Sequence, residues 1–91
     1  MLYRGGICLD LNSAFGEAIK RKRNSLGYSQ ETLALLCNLD RTYIGLLERG
    51  KRNPSLKSIF TLSHHLNTTP SILIKEVEVI LSKSRGNKGN V

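Results

Sequence analysis

The stretch from Ser29 to Gly50 constrains this 91-residue chain more than any other part of it. The Ser29 hydroxyl can accept the amide of Thr32, the third residue on, which marks a helix start. Leu33, Ala34, Leu36 and Cys37 follow at helical spacing and predict a helix over residues 29–37. Asn38 tolerates positive φ and closes that helix as a turn residue. Asp40 stands where the next helix needs a cap. Residues 40–49 form that helix, with Ile44 and Leu47 turned inward, and Gly50 stops it. Only Asn38-Leu39 joins the two segments. A connection this short cannot lay them antiparallel, so they must cross steeply.

The flanking segments read as helices that support this pair. Phe15, Ala18, Ile19 and Leu26 recur at helical spacing and place a first helix over residues 12–26, with Gly27 at its stop. Its other face carries Lys20, Arg21, Lys22 and Arg23. Pro54 has no amide and restricts Asn53, so Lys51 to Pro54 is a loop. Ser55 caps a fourth helix over residues 55–66, with Leu56, Ile59, Leu62 and Leu66 on one face. Thr69 and Pro70 open a fifth helix that runs to about Lys83. Residues 1–11 read as an extended or mobile arm, and residues 84–91 as a disordered basic tail. The expected architecture is all-α: a compact five-helix domain over residues 12–83 without strands.

Charge and chemistry narrow the function. Lys and Arg number 14 against 7 Asp and Glu, a net charge of +7, which for so short a chain points to a polyanionic partner. Aromatic residues are 5% with no Trp, which disfavours base stacking on single strands or RNA. Cys8 and Cys37 lack metal spacing and read as free thiols in a reducing compartment. No apolar run is long enough to span a membrane, and Met1 to Gly6 lacks the apolar core of a secretory signal, so the expected location is the cytoplasm. His64-His65 has no accompanying ligand pattern. With no nucleophile–base pair, metal cluster or Gly-rich phosphate loop, neither an enzyme nor a cofactor is expected.

The second helix of the central pair, presented at the surface, can enter the major groove of duplex DNA. At about 100° per residue, Arg41, Thr42, Gly45, Leu46 and Arg49 spread over its outer face. Arg41 can donate twice to guanine, Thr42 offers a hydroxyl and a methyl, and Leu46 can cover a thymine methyl. Gly45 leaves room for close approach to DNA or for close helix packing. Helix 5 carries more apolar residues than one stripe needs. Ile72, Leu73, Val77, Val79 and Ile80, helped by Phe60 and His64, are expected to cover a second copy of the chain.

Gly27-Tyr28-Ser29-Gln30-Glu31, Leu33-Ala34, Asp40 to Ile44 and Glu48 to Leu56 together resemble the lambda-repressor/Cro-type (XRE-like) helix-turn-helix family. The resemblance covers residue 15 to about 73. Leu39 to Ile44 is most similar to the controller proteins of bacterial restriction–modification systems, which are short dimeric regulators of their own promoters. The outer face thus offers Arg41, Thr42, Gly45 and Leu46 for base reading, and the resemblance implies that role for Arg41 and Thr42. The resemblance also implies phosphate contacts from Ser29, Gln30, Tyr43, Arg49, Lys51, Arg52 and Asn53, and a structural ion pair between Arg23 and Glu48. The implied partners are a palindromic double-stranded operator and a second copy, with no small-molecule effector. An antitoxin-type repressor, which would add a toxin as partner, or a phage repressor shares the fold. A protein-interaction module without specific DNA binding is the alternative from another class.

Overall fold

A computed structural model describes the backbone of residues 7–89 and the side chains of residues 11–83. Among the described residues there are five helices and no strand: α1 (Ile7–Ser25), α2 (Gln30–Cys37), α3 (Arg41–Glu48), α4 (Leu56–His65) and α5 (Pro70–Gly89).

The stops and starts follow from local chemistry. α1 ends in a Schellman motif: the Tyr28 amide donates to the Arg23 carbonyl and the Gly27 amide to that of Asn24. Gly27 takes φ 75°, a conformation that a Cβ would strain. The Ser29 hydroxyl accepts the Thr32 amide at 3.0 Å and opens α2. Asn38, at φ 57° and ψ 45°, closes it, while the Leu39 amide returns to the Ala34 carbonyl. Ser55 caps α4 through the Ser58 amide, and Thr69 caps α5 through that of Ile72.

One apolar core joins all five elements. Phe15, Ala18 and Ile19 of α1 meet Leu33 and Ala34 of α2, Ile44 and Leu47 of α3, Leu62 and Leu66 around α4, and Leu73, Val77 and Leu81 of α5. α1 packs on α5 along one side and on α3 along another. The approach to α3 is close because Gly16 has no side chain. A Cβ there would lie 2.6 Å from the Glu48 carbonyl oxygen and would also strike that of Leu47. Lys22 reaches Glu76 at 3.4 Å and ties the basic face of α1 to α5.

Several expectations need correction. α1 begins at Ile7, so residues 7–11 of the expected arm are helical; residues 1–6 lie outside the described residues. α5 runs through Gly89 rather than stopping near Lys83, because extending a formed helix costs far less than starting one; residues 90 and 91 lie outside the described residues. Asp40 stands at the α3 N-cap but its side chain makes no capping hydrogen bond. Leu56, expected on the inner face of α4, is 71% exposed, and the buried positions of that helix include Ser58 and Ser63 instead. Ser63 is accommodated by donating to the Ile59 carbonyl at 2.7 Å.

Leu73 and Val77 do not contribute to an interface between copies. They are 0% and 2% exposed within a single chain, packed into its core. Phe60, His64, Ile72 and Val79 are exposed, and Ile80 is half-buried against the core.

Candidate nucleic-acid interface

α2 and α3 each spend one apolar face on the core and turn the rest outward, including exposed Leu35 and Leu36 of α2. Leu33, Ala34 and Cys37 turn inward from α2, and Ile44 and Leu47 from α3. Arg41 and Thr42 are exposed at the start of α3, and Leu46 is half-buried one turn later. Arg49, Lys51, Arg52 and Asn53 are exposed along the exit from α3. These positions form a basic rim beside the outer face of α3. Gly50, at φ 72°, turns the chain there, and its missing Cβ makes room for Ser13 of α1.

Gly45 occupies neither of the two settings that its spacing suggested. It is buried, so it is not an open part of the outer face, and no backbone crowds it. A Cβ there would meet only the Arg49 Nη1 atom at 3.5 Å and the Gln30 Oε1 atom at 3.7 Å. Two polar side chains of the outer surface therefore cover it.

Beneath this surface lies a buried ion pair. Arg23 donates from Nε to Glu48 Oε2 at 2.6 Å and from Nη2 to Oε1 at 2.9 Å. Its Nη1 donates to the Tyr28 carbonyl at 2.8 Å. The Arg23 and Glu48 side chains are 10% and 3% exposed. The fork matches the two carboxylate oxygens in the geometry that makes such pairs strong. The hydrogen bonds to Glu48 raise the Arg23 pKa above its ordinary value against the opposing effect of burial. Gln30, the first residue of α2, donates from Nε2 to the same Glu48 Oε1 at 2.9 Å. Sequence spacing suggested the Arg23–Glu48 pair only through the family resemblance. The Gln30 contact was not foreseen, since it joins positions 18 apart on two crossing helices.

Two further side chains are already engaged within the chain. The Ser29 hydroxyl accepts the Thr32 amide and donates to Thr32 Oγ1, so it acts as a cap. The Tyr43 hydroxyl lies 3.0 Å from Ser58 Oγ, which in turn accepts from Ser55 Oγ at 2.9 Å. The Arg52 guanidinium stands 5.4 Å from the centre of the Tyr43 ring, a cation–π contact that holds the loop after α3 against the recognition surface. Cys37 is buried at the end of α2, and desolvation pushes its thiol up to about 11. His64 and His65 pack edge to face with ring centres 4.9 Å apart. Among the described residues, no three His, Cys, Asp or Glu side chains converge as a metal site, and no helix is long and apolar enough to cross a membrane.

The family model described as helix-turn-helix matches residues 19–73, which span α2, α3, α4 and their flanks. Control protein C.SmaI of Serratia marcescens is 39% identical over 72 residues, covering 77% of this chain and 86% of that protein. The crystal structure of the restriction–modification controller protein C.AhdI from Aeromonas hydrophila superposes with a TM-score of 0.66 at 45% identity, covering 68% of this chain and 94% of that one. The restriction–modification controller protein C.Esp1396I, solved as a tetramer on its natural 35 base-pair operator, matches with a TM-score of 0.71 at 34% identity over 78% of this chain and 93% of that one. With its α2–α3 pair inside the matched segment and control proteins aligning along most of their length, the chain belongs to the lambda-repressor/Cro-type helix-turn-helix family, among relatives that include the restriction–modification control proteins.

Proposed function

We propose that this protein is a dimeric, sequence-specific DNA-binding regulator of transcription, of the restriction–modification controller kind. The observation that carries this function is the outer face of α3. Arg41 and Thr42 stand exposed there with Leu46 beside them, and Arg49, Lys51, Arg52 and Asn53 rim the exit. A helix so presented fits the major groove. Arg41 donates to a guanine edge, and Thr42 and Leu46 sort the neighbouring bases. The rim meets phosphates and supplies affinity that falls with salt. Tyr43 joins that rim through whichever hydroxyl valence Ser58 leaves free.

Exposed Phe60 and Ile72, at 56% and 51%, with His64 and Val79, give α4 and α5 an apolar surface that a two-fold copy would cover. Such a dimer sets two recognition helices about 34 Å apart on a roughly palindromic operator. The basic net charge of +7 and the operator-bound relative both support the DNA partner. The site of action is the cytoplasm, where the operator is. The chemistry is binding rather than catalysis.

Selection of duplexes from a random pool tests this function. The wild-type chain should enrich a two-fold motif with half-sites about one turn apart. The Arg41→Ala/Thr42→Ala variant should blur or lose that motif. Retention of duplex without any enriched motif would reduce the protein to a non-specific DNA coat.

A further inference from the structure

We propose that Glu48 is a positioning residue for DNA binding, acting through Gln30 to hold the phosphate-gripping Arg49. The proposal rests on the DNA-binding function above and changes what Gln30 does in it. A carboxylate held by an arginine fork is ionised and can only accept hydrogen bonds. The amide atom that lies 2.9 Å from Glu48 Oε1 must therefore be the nitrogen of Gln30, since an oxygen there would be repelled. This fixes the polarity of the amide, with its nitrogen inward on Glu48 and its carbonyl oxygen turned towards Gly45. Gln30 Oε1 and Arg49 Nη1 approach the same empty Cβ position of Gly45, from 3.7 and 3.5 Å. One is an acceptor and the other a donor, and no side chain separates them.

An exposed arginine loses much rotamer freedom when it grips a phosphate. Arg49 and Gln30 share no hydrogen bond in the free chain, but the Gln30 carbonyl is the acceptor on which Arg49 leans when it grips DNA, which lowers that loss and aims the outer edge of its guanidinium at the backbone. Gln30 thus presents an acceptor to a neighbouring cation, instead of a donor to a phosphate. The buried pair Arg23–Glu48 anchors the chain of contacts from α1 through α3 and α2 to the surface.

Gln30 is the sole glutamine in the chain, so its side-chain amide can be observed directly by NMR in the free protein. One of its two amide protons should be shifted by the carboxylate and should exchange slowly. Amide protons at the shifts of a solvent-exposed glutamine, exchanging as fast as in one, would overturn the clamp, whatever happens with DNA. The second arm is a double-variant cycle on a duplex selected by the wild-type protein. Arg49→Ala, which removes two phosphate contacts from a dimer, should flatten the dependence of log affinity on log salt by about two. Gln30→Ala should weaken binding by about tenfold in the wild-type background and less than about twofold beside Arg49→Ala. Full, additive losses in both backgrounds would show that Gln30 meets DNA independently and would overturn the relay.

Glu48→Gln, checked for folding by thermal melting, should lose affinity and show the same coupling to Arg49→Ala. A folded Glu48→Gln protein with unchanged affinity would remove Glu48 from the chain of contacts. Where that variant does not fold, the Gln30–Arg49 cycle and the NMR spectrum decide. A wild-type protein without salt-dependent duplex binding would instead refute the DNA-binding function, leaving the amide clamp to be judged by NMR alone.

Discussion

Two helical glycines, Gly16 on α1 and Gly45 on α3, should respond oppositely to a methyl group. Gly16 faces the α3 backbone, which cannot retreat, so Gly16→Ala should cost about 1–3 kcal/mol of stability through overpacking. Gly45 faces only the ends of two flexible side chains at ordinary contact distance. Gly45→Ala should stabilise the free protein by about 0.5–1 kcal/mol, the helix-propensity gain, while weakening DNA binding because the methyl intrudes between Gln30 and Arg49. Urea unfolding of both variants checks the pair of signs; a destabilised Gly45→Ala would contradict the open environment. Cys37 gives a third residue-scale test. Its folded pKa is raised from about 9 to about 11 by burial, so the folded state holds the proton more tightly than the unfolded state. Its contribution is complete below the unfolded value and is lost as pH rises between those two values. Stability measured at pH 8 and pH 10.5 should fall more steeply in the wild type than in Cys37→Ala. Equal slopes would remove Cys37 as the cause.

At the scale of elements, α2 and α3 are eight residues each, too short to be stable alone. Their crossing is held by shared apolar burial and by the Arg23–Glu48 pair, which links α1, the loop at Tyr28, α2 and α3. Arg23→Ala leaves Glu48 buried without its cation and should cost about 3–5 kcal/mol. Denaturant unfolding measures that cost, and a loss below about 1 kcal/mol would mean that the pair is effectively solvated. The caps at Ser29, Ser55 and Thr69 and the stops at Gly27, Asn38 and Gly50 were legible in the sequence because each works through bonds within five residues. The start of α1 was not. Ile7 and Leu11 continue the four-residue spacing of Phe15, but Gly5-Gly6 beside them reads as a break, and a formed helix propagates back to Ile7 at little cost.

For the molecule as a whole, the apolar surplus of α5 divides between two uses. Leu73, Val77 and Leu81 complete the monomer core, whereas Ile72 on α5 and Phe60 on α4 stay exposed. In the proposed dimer, Ile72→Glu or Phe60→Glu should yield a folded monomer in analytical ultracentrifugation, with operator affinity lost through halved contacts. Leu73→Ala should instead lower stability by about 2–5 kcal/mol without being selective for assembly. A dimer unaffected by both surface charges would place the interface elsewhere. The sequence by itself determined the presence of five helices, the caps at Ser29, Ser55 and Thr69, the tight turn between α2 and α3 and the polar residues on the outer face of α3, since these depend on period and on neighbours along the chain. Tertiary structure alone decided which apolar faces are covered, why Leu56 is bare, what stands over Gly45 and where the amide of Gln30 points. A helical period says which residues share a face, but only the packing of distant segments says what that face meets.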